Sequence, residues 1–297
     1  MKKLTLTCIM ISACVQAQPF SFKDTAGEHL DILRDGKPLV RYMYAYDADR
    51  REETYKPYHH VMDADGQQTI TKGHGGKFTH HRAIYIGWNR LGHNGKNSDL
   101  WHMKGKAMQL HKEILKQEVN DTESVLATKI HWITDAEQEV AIEEVRSVTI
   151  QHDDKDAHLV LDFKSELKAI NGDVTLKGDP EHSGFQYRPH NDVTGNKSSM
   201  YTFHAEGADP RKDRNLPWVA NTYELRGETY TVQHMNHPDN PEGWIYSAYR
   251  DYGRFGSTFY TTIKNGEVLS LNYRIRITTG DALSRSVLSK HYATYIQ

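Results

Sequence analysis

Alternation of apolar and polar residues is the feature that most constrains how this chain folds. In residues 268–277 the apolar positions are Leu269, Leu271, Tyr273, Ile275 and Ile277, and the polar positions between them are Ser270, Asn272, Arg274 and Arg276. Successive side chains of a β-strand point to opposite faces, so a period of two predicts a strand with one buried face. The same alternation recurs at residues 38–46, 83–88, 122–133, 137–151, 158–164, 200–206 and 228–235.

Polar segments rich in glycine, proline and asparagine separate these strands and predict turns between them. They lie at residues 171–173, 177–184, 191–199, 208–215, 237–243 and 264–267. The stretch that best fits a helix is 283–295, close to the C-terminus. Many strands, long polar loops and almost no helix predict an all-β protein. We expect a single antiparallel β-sandwich domain over residues 18–297, with a short C-terminal helix.

The first 17 residues have the pattern of an export signal. Lys2 and Lys3 precede an apolar run at residues 4–11, and Ala17 ends a small-residue cleavage site. The apolar run is too short to span a bilayer, so no transmembrane segment is expected. The alternative is a lipoprotein signal that ends before Cys14, which would then carry a lipid anchor. Both alternatives predict a periplasmic or secreted protein, and the second predicts an outer-membrane lipoprotein.

Cysteine content and net charge exclude several classes of function. Cys8 and Cys14 are the only cysteines, and both lie in the predicted signal. The exported part is therefore expected to lack disulfides, thiolate nucleophiles and cysteine-ligated zinc. The formal net charge of −2 provides no field that attracts nucleic acid, so no nucleic-acid partner is expected.

Histidine, tyrosine and tryptophan are concentrated in three segments. The densest spans residues 55–102 and includes the runs YKPYHH, GHGGKFTHHRAIYIGW and DLWH. The others are residues 184–192 and 234–256. Imidazoles transfer protons near neutral pH, and tryptophan rings are good platforms for sugar rings. Because long loops on a sandwich usually carry function, these segments predict a site that binds a saccharide.

The residue types in these segments give two sets of candidates. The candidate catalytic residues, which can take up or release a proton, are His80, His81, Tyr187, His234 and Tyr252. The candidate substrate-binding residues, which offer hydrogen bonds, positive charge or an aromatic face, are His59, His60, Arg82, Trp88, Trp101, Arg188, His237, Asn240 and Arg250. For Trp88, a purely structural position in the core is the alternative.

Several short motifs occur in order along the chain. They are Pro-Tyr-His-His at 57–60, His-His-Arg at 80–82 with Gly-Trp at 87–88, Asp-Leu-Trp at 99–101, His-Pro-Asp-Asn-Pro at 237–241, and Tyr-Arg at 273–274 before Gly-Asp at 280–281. In these motifs the chain resembles the PmoA-like family of exported bacterial proteins. The resemblance implies sugar processing in polysaccharide-degrading bacteria. It also implies a β-sandwich like that of galactose mutarotases and several polysaccharide lyases, a supersandwich.

One motif departs from the family pattern. Family members commonly have Asp-His-Pro-His-His-Arg where this chain has Lys-Phe-Thr-His-His-Arg at 77–82. The acidic residue and the first histidine are therefore missing, although His74 lies nearby in the sequence. Because a shared fold does not determine the reaction, the activity must be inferred from the residue types in the loops.

β-Elimination from a uronic acid fits those residue types best. The proton at C5 becomes acidic when the neighbouring carboxylate is neutralised; one tyrosine or histidine removes it, and another protonates the oxygen that leaves C4. We expect a lyase or dehydratase that acts on uronic-acid-containing oligosaccharides. The expected roles are carboxylate neutralisation by Arg82 or Arg188, removal of the C5 proton by His80, His81 or Tyr187, and assistance to the leaving oxygen by His234 or Tyr252.

Two other functions remain as alternatives. A glycoside hydrolase normally needs two positioned carboxylates, and the histidine-rich loops are poor in them. A hydrolase or mutarotase would use Glu143 or Glu144, which are neighbours on a strand and therefore point to opposite faces. The other alternative is a sugar-binding protein without activity, in which Trp88 and Trp101 stack on the ligand.

No cofactor is required by the sequence, but a divalent metal at a histidine cluster is an alternative. His80 and His81 are adjacent, and adjacent residues of a strand point apart, so they are not expected to bind one ion together. The histidines that could converge instead are His59 or His60, His80 or His81, and His234.

Overall fold

The structure is a computed structural model that describes residues 18–152 and 156–297. The predicted export signal at residues 1–17, with Cys8 and Cys14, lies outside the described residues, so the signal and the lipid anchor stay predictions. In the described ranges, no helix has both the length and the apolar character needed to cross a membrane.

Most of the described chain forms β-strands. The elements before residue 152 are β1 Phe20–Thr25, β2 His29–Arg34, β3 Lys37–Met43, α1 Arg51–Thr54, β4 Tyr58–Val61, β5 Ile84–Trp88, β6 Arg90–His93, β7 Lys96–Ser98, β8 Met108–Val119, β9 Glu123–Ile133 and β10 Val140–Gln151. The elements after residue 156 are β11 Leu159–Ala169, β12 Val174–Lys177, β13 Ser183–Tyr187, α2 Asp192–Asn196, β14 Met200–Phe203, β15 Trp218–Leu225, β16 Glu228–Asn236, β17 Ile245–Tyr246, β18 Phe255–Thr258, β19 Thr261–Ile263, β20 Val268–Thr279 and α3 Arg285–Tyr295.

The alternating stretches form strands, and the predicted all-β class is confirmed. In β20, Leu271, Tyr273 and Ile275 are buried, whereas Ser270 is exposed. The C-terminal stretch forms α3, and the hydroxyl of Ser284 accepts a hydrogen bond from a backbone N–H of its first turn. That contact is the N-terminal cap that serine commonly provides.

The strands pair into three antiparallel sheets. The first has the order β1-β2-β3-β4-β5-β13-β18-β17, the second β14-β15-β16-β20-β11-β10-β9-β8, and the third β19-β12-β6-β7. In the first sheet, Ile84 of β5 pairs with Tyr187 of β13, and Trp88 pairs with Ser183. This pairing between distant parts of the chain places β5, β13 and β18 side by side.

The two large sheets pack face to face around the main core. The ring of Phe163 from the second sheet lies 4.4 Å from the ring of Phe185 in the first. Phe185 also lies 4.5 Å from Tyr273 of the second sheet. Ring contacts of this kind add to the burial of apolar area that stabilises a sandwich.

The opposite, outer face of the first sheet carries a smaller apolar cluster. Ile84 and Ile86 of β5 point into the main core, whereas Tyr85 packs against Trp101 in a separate group of buried residues. A Cβ atom at Gly87 would overlap the carbonyl oxygen of the residue before Trp101. Glycine at this position therefore lets the loop after β7 lie directly on the outer face.

Candidate functional site

Three histidines from separate loops converge on this outer face. Ring nitrogens of His80, His102 and His182 all lie within 4.8 Å of one another. The ring centroids of His80 and His102 are 4.4 Å apart, and those of His102 and His182 are 4.8 Å apart. All three side chains are partly exposed. Over the described ranges, no other group of three potential metal ligands meets this distance limit. We call these residues the histidine cluster.

Different strands position the three histidines. His80 lies in the loop between β4 and β5, His102 lies between β7 and β8, and His182 directly precedes β13. The backbone N–H of Asn89, which follows β5, donates to the carbonyl of His182 at 3.0 Å. The cluster therefore depends on the pairing of β5 with β13.

Arg82 fixes the loop that carries His80. Its Nη1 donates to the carbonyl oxygens of Thr79 and His81, and its Nη2 donates to that of Glu52. The side chain is fully buried. Both Nη atoms of the guanidinium that was expected to neutralise a carboxylate therefore bind backbone acceptors and position the loop, and its buried Nε has no partner among the described residues.

The loop that carries the second cluster histidine is anchored by Trp101. The backbone N–H of Leu100 donates to the Trp88 carbonyl at 2.9 Å, and the Trp101 ring lies 4.8 Å from that of Tyr85. The ammonium of Lys56 donates to the Trp101 carbonyl at 2.6 Å. Because Trp101 is fully buried, its ring holds the loop and presents no open face to a sugar.

Two cluster histidines are each oriented by an aspartate three residues before them. Nδ1 of His102 lies 2.8 Å from Asp99 Oδ2, and Nδ1 of His182 lies 2.7 Å from Asp179 Oδ1. Burial by itself would raise the pKa of both aspartates, but the paired histidine holds each pKa below its ordinary value. An ionised carboxylate only accepts hydrogen bonds, so Nδ1 carries the hydrogen and Nε2 keeps a lone pair.

Burial favours the neutral form of His80 and of His182. Burial, followed by the charges of His102 and Lys56, lowers the pKa of His80 to about 2. Burial also lowers the pKa of His182, although Asp179 opposes the shift. The pKa of Lys56 itself is well below its ordinary value, chiefly because this ammonium is buried. Neutral imidazoles can bind a metal ion or accept a proton.

His81 and Tyr252 lie beside the cluster. The His81 ring is 4.4 Å from that of His80 and 6.1 Å from that of Tyr252. Phe78 packs against both rings, at 5.2 Å from His81 and 5.4 Å from Tyr252. Burial, followed by the charge of Arg254, lowers the pKa of His81 well below its ordinary value. The buried Nδ1 of His81 has no hydrogen-bond partner among the described residues.

Arg254 is a buried cation near the cluster. Its Nη1 donates to the carbonyl of Glu181 and to Oε1 of Gln186. Its Nε and Nη2 are buried without a hydrogen-bond partner, although Nη2 lies 3.6 Å from the Glu181 carboxylate. That carboxylate already accepts hydrogen bonds from Arg250 and from the Tyr249 hydroxyl. Arg254 thus presents donors that no described residue satisfies.

Five of the residues predicted from the sequence lie at or beside the cluster. His80 belongs to it, His81 and Tyr252 flank it, Trp101 lies 6.2 Å from His182, and Arg250 reaches it through Glu181. Arg188 lies behind Tyr252, with its guanidinium 4.7 Å from the centre of the phenol ring. The Nη1 of Arg188 donates to the Tyr252 carbonyl at 2.6 Å, so this arginine also holds a loop.

Three predicted residues lie in the main core instead. His59, Tyr187 and His234 are buried there because they occupy inward positions of β4, β13 and β16. The His59 ring stacks on that of Tyr42 at 4.8 Å, the hydroxyls of Tyr187 and Tyr223 lie 2.7 Å apart, and Nδ1 of His234 lies 3.1 Å from the Tyr246 hydroxyl. The metal ligand set expected from His59 or His60 with His234 is therefore not assembled. The set that the structure does assemble uses His102 and His182.

The remaining candidates are held by partners outside the cluster. Their contacts are His60 with Thr71 at 3.0 Å, Trp88 with the Phe259 carbonyl at 3.3 Å, His237 with the Tyr295 ring at 5.4 Å, and Asn240 with Asn236 at 3.0 Å. Trp88 takes the core position that was its structural alternative.

The two glutamates of the hydrolase alternative have structural partners. Glu144 is fully buried and accepts hydrogen bonds from Trp132 at 2.7 Å and from Ser165 at 2.8 Å. Glu143 points to the other face of β10, where it lies 3.6 Å from His131. Neither carboxylate is among the groups around the cluster.

A repeated sequence spacing marks His102 and His182, the two cluster residues that are not among the predicted candidates. The spacing Asp-x-x-His occurs twice, at residues 99–102 and 179–182, in two polar loops. In each loop the aspartate Oδ1 also accepts the backbone N–H two residues on, from Trp101 at 3.1 Å and from Glu181 at 3.1 Å. Such Asx-type turns fix the aspartate, and the aspartate in turn fixes the imidazole.

The cluster has the donor set of a metal site as well as that of a proton-transfer site. Three imidazoles converge, and two of them are backed by carboxylates. Histidines that bind a metal usually donate their second N–H to such a partner. The same pairing also orients a histidine that accepts a proton.

Two solved structures are similar to this chain at low sequence identity. A mutant of the heparan sulfate lyase HepC from Pedobacter heparinus aligns at a TM-score of 0.47 and 10% identity, over 90% of this chain and 38% of that one. A protein described as a kojibiose phosphorylase from the human microbiome aligns at a TM-score of 0.37 and 9% identity, over 86% of this chain and 31% of that one. This chain therefore spans well under half the length of either protein. Similarities this weak do not bear on the reaction.

No curated protein sequence matches this chain. One protein-family description matches residues 29–293, which include the whole histidine cluster and every strand from β2 to β20. The chain therefore belongs to the family of unknown function DUF6807.

Proposed function

We propose that this protein catalyses β-elimination on a uronic-acid-containing oligosaccharide, at the site formed by the histidine cluster with His81, Tyr252 and Arg254. In this reaction the C5–H and C4–O bonds break and a C4–C5 double bond forms. If a glycosidic oxygen leaves, the enzyme is a lyase. If a hydroxyl leaves as water, the enzyme is a dehydratase.

The observation that carries the proposal is the set of unsatisfied donors on Arg254. Its Nε and Nη2 are buried without a hydrogen-bond partner in the described structure. Leaving buried donors of a charged group unpaired is costly, so a bound anion that accepts them is favoured. A carboxylate matches the planar fork of a guanidinium, and pairing with Arg254 would neutralise it as elimination requires.

His81 and Tyr252 are the pair that we assign to proton transfer. His81 is neutral, and its Nδ1 has no competing partner among the described residues. Because this atom is buried, the loop that carries His81 must open to admit the substrate before Nδ1 accepts the C5 proton. The Tyr252 hydroxyl donates a proton to the oxygen that leaves C4. A bound carboxylate offsets the charge of Arg254, and it therefore raises the proton affinity of His81 when substrate is present.

The carboxylates near the cluster favour elimination over hydrolysis. Asp99 and Asp179 each accept a hydrogen bond from a cluster histidine, and Glu181 accepts hydrogen bonds from Arg250. Classical glycoside hydrolysis needs two carboxyl groups that are free to act on the substrate. The carboxylates at this site accept hydrogen bonds from imidazoles and guanidinium groups instead, so they are not free to act on a substrate.

The proposed substrate class and location rest on the sequence. The motifs shared with the PmoA-like family support a saccharide as substrate. Residues 1–17 support a periplasmic or secreted enzyme, because their charge and apolar pattern is that of an export signal. An exported enzyme of this kind would act on oligosaccharides released when polysaccharides are degraded.

The test is a panel of uronate-terminated oligosaccharides and their carboxyl-reduced counterparts. We expect ultraviolet absorbance from a new C4–C5 double bond conjugated to the carboxylate with at least one uronate. Its carboxyl-reduced counterpart should give no unsaturated product by mass spectrometry, because the C5 proton is then not acidified and Arg254 has no anion to bind. A parallel reducing-end assay separates elimination from hydrolysis. If folded protein produces no absorbance on any uronate, the proposal is wrong.

A further inference from the structure

We propose that the histidine cluster binds one divalent transition-metal ion of the zinc type, through His80, His102 and His182. Binding of the ion does not depend on the elimination reaction. Its role, as a Lewis acid that withdraws charge from the substrate's carboxylate, does rest on the proposed function.

The hydrogen bonds to the aspartates prepare two ligands. Asp99 and Asp179 hold the Nδ1–H groups of His102 and His182 at 2.8 and 2.7 Å. The Nε2 lone pairs are therefore free and their directions are fixed. This carboxylate–histidine arrangement orients metal-binding imidazoles and makes them better ligands. Its occurrence in two loops that meet at one point is not expected of histidines that only bind water.

The third ligand position is marked by an unsatisfied nitrogen. Nε2 of His80 is buried and has no hydrogen-bond partner in the described structure. A buried nitrogen without a partner favours a bound group beside it, and the two neighbouring imidazoles supply further ligand nitrogens at the same place. A metal ion at the centre of the cluster would satisfy this atom.

The distances fit an ion after a small movement. Imidazole nitrogens that share a tetrahedral zinc ion at about 2.0–2.1 Å lie about 3.3 Å from each other. In the structure one ring nitrogen of each histidine lies within 4.8 Å of those of the other two. The three side chains lie in loops and are partly exposed, so rotation of the rings can close the difference.

The ligand type selects the class of ion. Imidazole nitrogen suits zinc, copper, nickel and cobalt, whereas calcium and magnesium prefer oxygen ligands. Three protein ligands leave a coordination position open, which is the arrangement of catalytic rather than structural zinc sites.

The experiment uses the full folded chain after removal of metal with a chelator. Titration with Zn²⁺ should show one saturable site per chain, and Co²⁺ should give the visible bands of a tetrahedral complex. The variants His102→Ala and His182→Ala should each lower the Zn²⁺ affinity at least tenfold. The control is His29→Ala, since His29 also lies near a carboxylate, 3.7 Å from Asp31, but in β2 and outside the cluster.

A second measurement needs no variant. In chain labelled with ¹⁵N-histidine, Zn²⁺ should shift the resonances of three imidazoles, those of the cluster. The proposal is overturned if the wild-type chain shows no saturable site, or if both cluster variants fold and keep the wild-type affinity. It is also overturned if Zn²⁺ shifts the resonances of imidazoles outside the cluster and leaves those of His80, His102 and His182 unchanged. Because no substrate is present, none of these outcomes depends on the elimination reaction.

Discussion

Oδ1 of Asp179 accepts a hydrogen bond from Nδ1 of His182 at 2.7 Å, across a loop of only two intervening residues. The pair Asp99 and His102 has the same spacing and a distance of 2.8 Å. The rings of the two histidines lie 4.8 Å apart, although 80 residues separate them in the chain. Two copies of one local structure thus bring their imidazole rings side by side.

The variant Asp179→Asn tests whether this hydrogen bond matters. An asparagine amide can donate to Nδ1, which moves the hydrogen of the imidazole to Nε2 and removes the lone pair from the cluster. We expect Zn²⁺ affinity to fall by about 10–100-fold, the usual effect of losing such a partner. Calorimetric titration measures it. Glu28→Gln is the control, because this exposed carboxylate also lies beside a histidine. An equal loss in both variants would contradict a specific role for Asp179.

Gly87→Ala tests the close approach of the loop to the sheet. The added Cβ would overlap the carbonyl oxygen of Leu100, so either the strand or the loop must move. Overpacking of this kind costs about 1–3 kcal/mol in the free energy of unfolding. Because the displaced loop carries Asp99 and His102, Zn²⁺ affinity should fall as well.

The control for that change is Gly195→Ala. A Cβ at Gly195 meets no atom within 4 Å, and this residue does not have a positive φ. Urea denaturation of both variants provides the comparison. If Gly87→Ala unfolds at the same urea concentration as Gly195→Ala and binds Zn²⁺ normally, the loop does not depend on this glycine.

Glu144→Ala tests whether Glu144 is structural. Its carboxylate pairs with Arg146 at 2.9 Å, and both side chains are fully buried. Loss of one partner of a buried ion pair costs about 3–5 kcal/mol, because the other charge stays buried and unpaired. Thermal or urea denaturation should show this loss. Asp173→Ala breaks an exposed pair with Lys264 and should lower the stability far less than Glu144→Ala does. Similar stabilities of the two variants would refute the structural role.

The pH dependence of stability should depend on His234. Burial lowers the pKa of this imidazole to about 3. In the unfolded chain the pKa is near the ordinary value of about 6.5, so the unfolded state binds more protons between these values. Stability therefore falls as the pH falls through this window, by up to about 1.4 kcal/mol per pH unit for this one group.

The variant His234→Gln should reduce that slope. Its free energy of unfolding, measured in urea between pH 4 and 6, should vary less steeply with pH than that of the wild-type chain, by about one proton. The variant will also be less stable at pH 7, because His234 fills a core position. An unchanged slope would show that His234 already binds its proton in the folded state.

The strands could be predicted because their signal is local. From Leu269 to Ile277 of β20, each apolar residue is separated from the next by one polar residue, and this pattern predicts both the strand and its buried face. The predicted C-terminal helix is local in the same way, with Ser284 at its start. The order of the strands in the sheets depends on distant pairings such as that of β5 with β13, and no local pattern contains it.

The site could be predicted only in part for the same reason. His80, His81 and Tyr252 lie in loops that the concentration of histidine and aromatic residues marks. His59 and His234 come from the same rich segments but occupy inward positions of strands, where packing decides their role. His102 and His182, which complete the cluster, are marked in the sequence only by the repeated Asp-x-x-His spacing. That spacing indicates a shared site only if the two loops meet in space, and no local pattern predicts that they do.

The most direct test of the proposed chemistry compares the rates of double-bond formation by the wild-type chain and by His81→Gln, on a uronate that the wild-type chain converts. Loss of a group that transfers a proton in the transition state lowers the rate by about 10²–10⁴-fold. We predict a fall of at least about 100-fold in His81→Gln, with an unchanged circular dichroism spectrum, and a normal rate in the control His29→Gln. Turnover by folded His81→Gln at the wild-type rate would contradict the account.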